Sequence, residues 1–200
     1  HVTIFMHRAW THHAWRPSRL LNLWGLFVYT LGFSSPTIGW AAIHREHHRH
    51  SDTILDPHSP YYVSRWKILF GAYTKVKLEY AQDLLRDYDH LQFYKYYWHI
   101  QLTWYTIIYL LNPSLLWAWF AILGFHGFKM RLINVIGHNG IKTHTNSPLF
   151  AYLYLHGEPW HGNHHEDPKS WRFGKYWYQI DLGAQLIKLF VKLRIAKARI

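Results

Sequence analysis

The sequence predicts an all-α protein, integral to a membrane, with a cytoplasmic helical cap. Three observations carry this reading. A long stretch, Tyr96 to Phe128, contains no Lys or Arg, while basic residues crowd both of its flanks. The charge is strongly positive, +11 over 200 residues. Histidines, 18 in all, gather in short motifs of helical spacing outside the apolar stretch. A mean hydropathy of −0.20 averages over this segregation and conceals it.

The elements follow in chain order. "HVTIFMHRAW" opens the chain without an initiator Met or a polar leader. Residues 1–19 are therefore read as the end of a transmembrane helix, in a chain that is N-terminally incomplete. Segment 20–43 is apolar but broken by Ser34, Ser35 and Pro36, and histidines lie at both of its ends. It is expected to be a re-entrant or in-plane helix. Residues 96–111 and 114–128 are separated only by Asn112 and Pro113, a turn signal. With Trp and Tyr where interfacial anchors belong, 96–128 reads as a transmembrane hairpin. Dense basic flanks put both of its ends in the cytoplasm. The rival is a soluble helical hairpin buried in a core. Residues 129–200 form the cytoplasmic part, in which Lys129 and Arg131 follow directly on the apolar stretch. The tail, 186–200, alternates apolar and basic groups at helical spacing and is expected to form a surface helix, on the membrane or on the domain.

The histidines form four clusters. "HRAWTH" supplies His7 and His12, "HREHH" supplies His44, His47 and His48, "NVIGH" supplies Asn134 and His138, and "HGNHH" supplies His161, His164 and His165. Positions i, i+3 and i+4 share a helix face, so each H-x-x-H-H presents three imidazoles together. His7 and His12, five apart, suit a helix end or a local irregularity. An even number of crossings returns the chain to the side it left, so all four clusters can meet on one face. Nine imidazoles are too many for one ion and suffice for a di-metal site. The absence of cysteine excludes thiolate zinc and iron–sulfur centres. Imidazole suits Fe, Cu, Zn and Ni alike; a redox pair beside lipid favours iron. The bland alternative is a set of surface histidines on a basic protein. His99, His126 and His156 are read as satisfied apolar-segment residues. His13, His50, His58, His90 and His144 are read as solvated or as backing the ligands, and His1 is not assigned.

These boxes, in order and spacing, resemble those of the membrane-bound fatty acid desaturases, the histidine-box non-haem di-iron family. "AAIHREHHRHSDTILDPHSP", "GEPWHGNHH" and "YQIDLGAQLIKL" are most similar to the bacterial Δ9 acyl-lipid or acyl-CoA branch. The resemblance covers His7 to near the C-terminus as a single desaturase domain. It implies an oxidoreductase of unsaturated fatty acid biosynthesis that inserts a cis double bond, at Δ9, with O2 and two electrons. It implies two iron ions held by His7, His12, His44, His47, His48, His138, His161, His164 and His165, with Asn134 acting through a water. Trp40 matches a position near the bend of the substrate tunnel. The family's further transmembrane hairpin upstream of His1 is missing, and the stretch between His138 and His161 is short.

Glu46, Glu158, Glu166 and Asp167 sit among the boxes and are expected to orient imidazole N–H groups or to face solvent. The positive charge comes without a nucleic-acid recognition motif. It suits anionic headgroups and an acidic electron donor, ferredoxin-like or cytochrome b5, at a bacterial inner membrane with the site on the cytoplasmic side. Two other functions remain open: a related di-iron membrane hydroxylase, and a non-catalytic membrane protein that binds or transports metal.

Overall fold

The computed structural model describes residues 1–32, 35–71, 75–138 and 144–198, and it is mostly helical. Val2–Thr11 form a π-helix whose ten residues are all buried. Its wider winding bonds each N–H five residues back, so the His12 N–H donates to the His7 carbonyl at 3.2 Å. Residues five apart therefore meet on one face. His13 then turns through φ 54° into strand β1, Trp15–Pro17.

Helices α1 (Arg19–Gly32) and α2 (Thr37–His50) follow, bent by 90° to one another. Both pack on the π-helix, and Met6, Leu26, Ile38, Ala41 and Ala42 are fully buried between them. Gly25 permits this close approach, because a Cβ there would stand 2.7 Å from the Phe5 ring. Short helices α3 (Arg65–Phe70), α4 (Gln82–Arg86) and α5 (Tyr88–Lys95) lead to the hairpin of α6 (Tyr97–Leu111) and α7 (Pro113–Gly137). Asn112 caps α7 by accepting the Ser114 N–H at 2.9 Å, and Pro113 fits the first helical position. Trp104 meets Trp119, and Tyr105 meets Phe120, across the hairpin. Its outer faces leave Leu110, Leu111, Trp117 and Phe125 70–76% exposed. Among the described residues no single helix is long and apolar enough to cross a membrane; the bent pair α1–α2 passes by length and composition.

The chain closes with α8 (Pro148–Tyr154), α9 (His161–Glu166) and α10 (Leu182–Lys192). The tail departs from the sequence expectation in two ways. The tail helix stops at Lys192, and Arg194 turns through φ 60°. Ala196–Ala198 then form β2, antiparallel to β1, with Trp15 opposite Ala198. The fold is thus not purely helical: two backbones brought side by side satisfy each other's N–H and C=O groups, which overrides the helical pattern of the sequence.

Two arginines inside the boxes fasten this frame. Arg8 is fully buried and reaches Asp181 through two bonds of 3.0 and 2.9 Å, plus the carbonyls of Trp171 and His156. It ties the π-helix to the start of α10, where Asp181 also caps Ala184. Arg45 donates to the carbonyls of Thr11, Trp10 and Tyr80 and pairs with Asp83, fixing α2 to the end of the π-helix.

Candidate metal centre

The π-helix, α2, the end of α7 and α9 converge, and their imidazoles fall into two clusters. His7, His12, His44, His48 and His164 have ring nitrogens within 4.8 Å of one another; so do His47, His138, His161 and His165. All nine histidines of the four boxes are in these two groups. Each H-x-x-H-H divides between them, in opposite senses. From α2, the i, i+4 pair His44 and His48 enters the first cluster while His47 enters the second. From α9, the pair His161 and His165 enters the second while His164 crosses to the first. The clusters touch, with the His48 and His165 rings stacked at 4.2 Å.

The side chains fit metal ions. Among the described residues three imidazoles have their Nδ1 on a carboxylate shielded from solvent: His7 on Glu158 at 2.7 Å, His47 on Asp56 at 2.9 Å, and His138 on Asp52 at 3.0 Å. Each Nδ1–H donates outward, which leaves the Nε2 lone pair facing inward. There the lone pairs crowd. His7 Nε2 lies 3.0 Å from His164 Nε2, His138 Nε2 lies 2.9 Å from His161 Nε2, and His47 Nε2 lies 3.3 Å from His165 Nε2. His12 Nε2 is buried and has no hydrogen-bond partner among the described residues. Lone pairs converging in a buried space are the arrangement a cation requires. Burial, reinforced by neighbouring imidazoles, holds His47, His48, His161 and His164 well below the ordinary histidine value of 6.5, so they stay neutral and able to ligate. Burial acts to raise the Glu158 carboxyl, but His7 and Arg8 override it and hold it at about 2.

The surroundings are built to admit these rings. A Cβ at Gly137 would collide with the His161 ring. Asn163, between the α9 histidines, is held by Asn146, Phe173 and Gln179. A cavity of about 380 Å³ opens beside the clusters, lined by Trp40, His44, Asn134 and His161 and running along α7 to Gly127 and Leu123. Trp40 stacks on His44 at 4.7 Å.

Of the four carboxylates singled out in the sequence, only Glu158 backs an imidazole. Glu46 pairs with Lys77, Glu166 pairs with Lys175, and Asp167 is exposed. Sequence reasoning missed Asp52 and Asp56, although "HSDTILDPH" places both directly after the second box. His58 stacks on His47 at 4.1 Å and His144 on His165 at 3.7 Å, so both back the clusters. His90 is neither solvated nor in either imidazole cluster; it is buried, edge-on to Trp10. His13 is exposed beside Asp83, and His50 meets the Tyr80 hydroxyl.

No family model matches the chain. Curated relatives match nearly all of it. It is 30% identical to "Delta-9 desaturase-like 2 protein" of Arabidopsis thaliana over 98% of this chain and 70% of that one. It is 31% identical to "Acyl-CoA C20 Delta5-desaturase" of Anemone leveillei over 98% of this chain and 67% of that one. It is 27% identical to "sn-1 stearoyl-lipid 9-desaturase" of Synechocystis over 98% of this chain and 66% of that one. The chain thus spans about two thirds of these relatives' length. Extended similarity and nine clustered histidines agree: the chain belongs to the fatty acid desaturases, which are oxidoreductases.

Proposed function

We propose that this chain is the histidine-box portion of a membrane desaturase that introduces a cis double bond at carbon 9 of a saturated acyl chain, using O2 and two electrons. The observation that carries this reading is the pair of touching imidazole clusters at the wall of a cavity whose lining mixes apolar and polar side chains. His7, His12, His44, His48 and His164 would hold one iron ion. His47, His138, His161 and His165 would hold the other, with Asn134 acting through a water. Bound iron would supply the O2-dependent oxidation that an unactivated methylene demands.

The chain's own residues position and protect. Glu158, Asp56 and Asp52 fix three imidazoles in the ligating tautomer. Trp40, stacked on His44, presents a flat apolar wall where the acyl chain passes the clusters. Carbon 9 is supported by two relatives named for that position; the equally similar Δ5 relative makes it the first property to measure. The exposed apolar faces of α6 and α7 suit lipid tails better than water. In this reading 96–128 spans the bilayer, Asn112 and Pro113 lie outside, and the basic flanks and clusters face the cytoplasm of a bacterial inner membrane. An acidic ferredoxin or cytochrome b5 would then deliver electrons to a basic surface.

The test is mass spectrometry of membrane acyl chains from a desaturase-deficient host expressing the protein, with and without His161→Ala. Loss of two hydrogens, abolished by the substitution and placed at carbon 9 by fragmentation, is expected. A gain of one oxygen would replace desaturation by hydroxylation. Unchanged lipids from an iron-loaded protein supplied with reduced donor would contradict both.

A further inference from the structure

The cavity beside the clusters has one feature that an alkyl chain cannot use. Among its described lining residues Arg131 is the only Lys or Arg. It lies on the α7 face that also supplies Gly127 and Asn134, three residues, or about 4.5 Å along the axis, from Asn134. Its guanidinium sits between two glycines that make room for it. A Cβ at Gly71, which has φ 68°, would stand 2.8 Å from Arg131 Cζ, and one at Gly127 would stand 3.3 Å from Nη1. The half-buried guanidinium makes one hydrogen bond among the described residues, from Nη1 to the Leu69 carbonyl at 3.4 Å, and no described carboxylate pairs with it.

A guanidinium has five donors in a planar fork suited to two-point binding of oxyanions. Pressing a hydrocarbon chain end against it would remove water from an uncompensated charge, whereas an oxyanion there gains charge-assisted bonds. We infer that Arg131 seats the polar end of the acyl substrate, binding its carboxylate or the phosphate of the lipid that carries it. The inference rests on the acyl-substrate reading above. Arg131 is then a specificity residue: by fixing the polar end, it sets which carbon lies beside the histidines.

The test uses the iron-loaded protein in detergent and two probes, 9,10-dibromostearate and a phosphatidylglycerol carrying the same brominated chain. Bromine quenches nearby indole fluorescence, and the part due to Trp40 is isolated by comparison with Trp40→Phe. Arg131→Met removes the charge at similar length, and Arg131→Lys restores it. At least tenfold weaker binding in Arg131→Met, substantially recovered in Arg131→Lys, with iron content and melting temperature unchanged in both, is expected. Loss confined to the free acid identifies a carboxylate, and loss confined to the lipid identifies its phosphate. Wild-type binding of both probes by Arg131→Met overturns the assignment while leaving the acyl-substrate reading intact. If the wild-type protein binds neither probe near Trp40, the acyl-substrate reading fails and takes this inference with it.

Discussion

The two imidazole clusters are built from the same two boxes, yet they are supported differently. The first takes a pair from α2 and one ring from α9, and completes its five with His7 and His12 of the π-helix. The second takes a pair from α9 and one ring from α2, and adds only His138. Among the described residues its backing is heavier, with Asp52 and Asp56 on two of its four rings against Glu158 alone on the first. The comparison explains the repeated triplet. A single H-x-x-H-H has its i+3 ring rotated away from the i, i+4 pair, so one copy reaches into both clusters. Two copies facing each other make the exchange reciprocal.

The comparison can be broken most severely by removing a ring. His164→Ala and His161→Ala are each expected to abolish product formation, with iron lost preferentially from the first and second cluster respectively. Iron analysis and spectroscopy of the purified variants check this. Unhinging the ligands should do less. Glu158→Gln is expected to weaken metal binding roughly 10–100-fold at the first cluster, and Asp56→Asn by a similar factor at the second. Equal loss at both sites from either substitution would erase the distinction.

Arg8→Met tests the frame of the first cluster. It leaves Asp181 buried without its cation and is expected to cost about 3–5 kcal/mol; Arg45→Met, at the more exposed Asp83 pair, should cost less. Chemical denaturation of the two variants compares them. Protons act on both clusters alike. His47, His161 and His164 have folded-state pKa values below 6.5, so the unfolded chain takes up protons that the folded one refuses. The metal-free protein should therefore lose stability as pH falls below about 6.5, and a melting series from pH 7.5 to 5.5 measures it. The smallest effect belongs to His144→Ala, which removes a partly exposed ring stacked on His165 and leaves every clustered ring in place. It should alter iron affinity by less than about tenfold, at the second cluster only.

Much of the site was legible because its ligands obey local rules. His44, His47 and His48 lie at helical spacing, as do His161, His164 and His165, and the odd interval between His7 and His12 suited either a helix end or a local irregularity, of which the π-helix is the second. What escaped was tertiary. Asp52 and Asp56 back the second cluster only because the turn after α2 folds over it, and nothing in "SDTILD" distinguishes them from solvated acids. Glu46 has the better position in the sequence, inside a box, yet it points away to Lys77. Arg8 and Arg45 clamp the frame through partners 148 to 173 and 34 to 38 residues away in the chain, which no local spacing reveals. The tail read as helix to its end, until β1 offered a partner for Ala196–Ala198.

Metal stoichiometry reaches the centre of this picture. Native mass spectrometry of the protein, purified without chelator from iron-supplemented cells, should give two irons per chain. It should give one in His47→Ala/His138→Ala, which strips the second cluster and spares the first. A single ion in the wild-type protein, lost entirely in that variant, would contradict two separate sites and leave the five-histidine cluster without a metal.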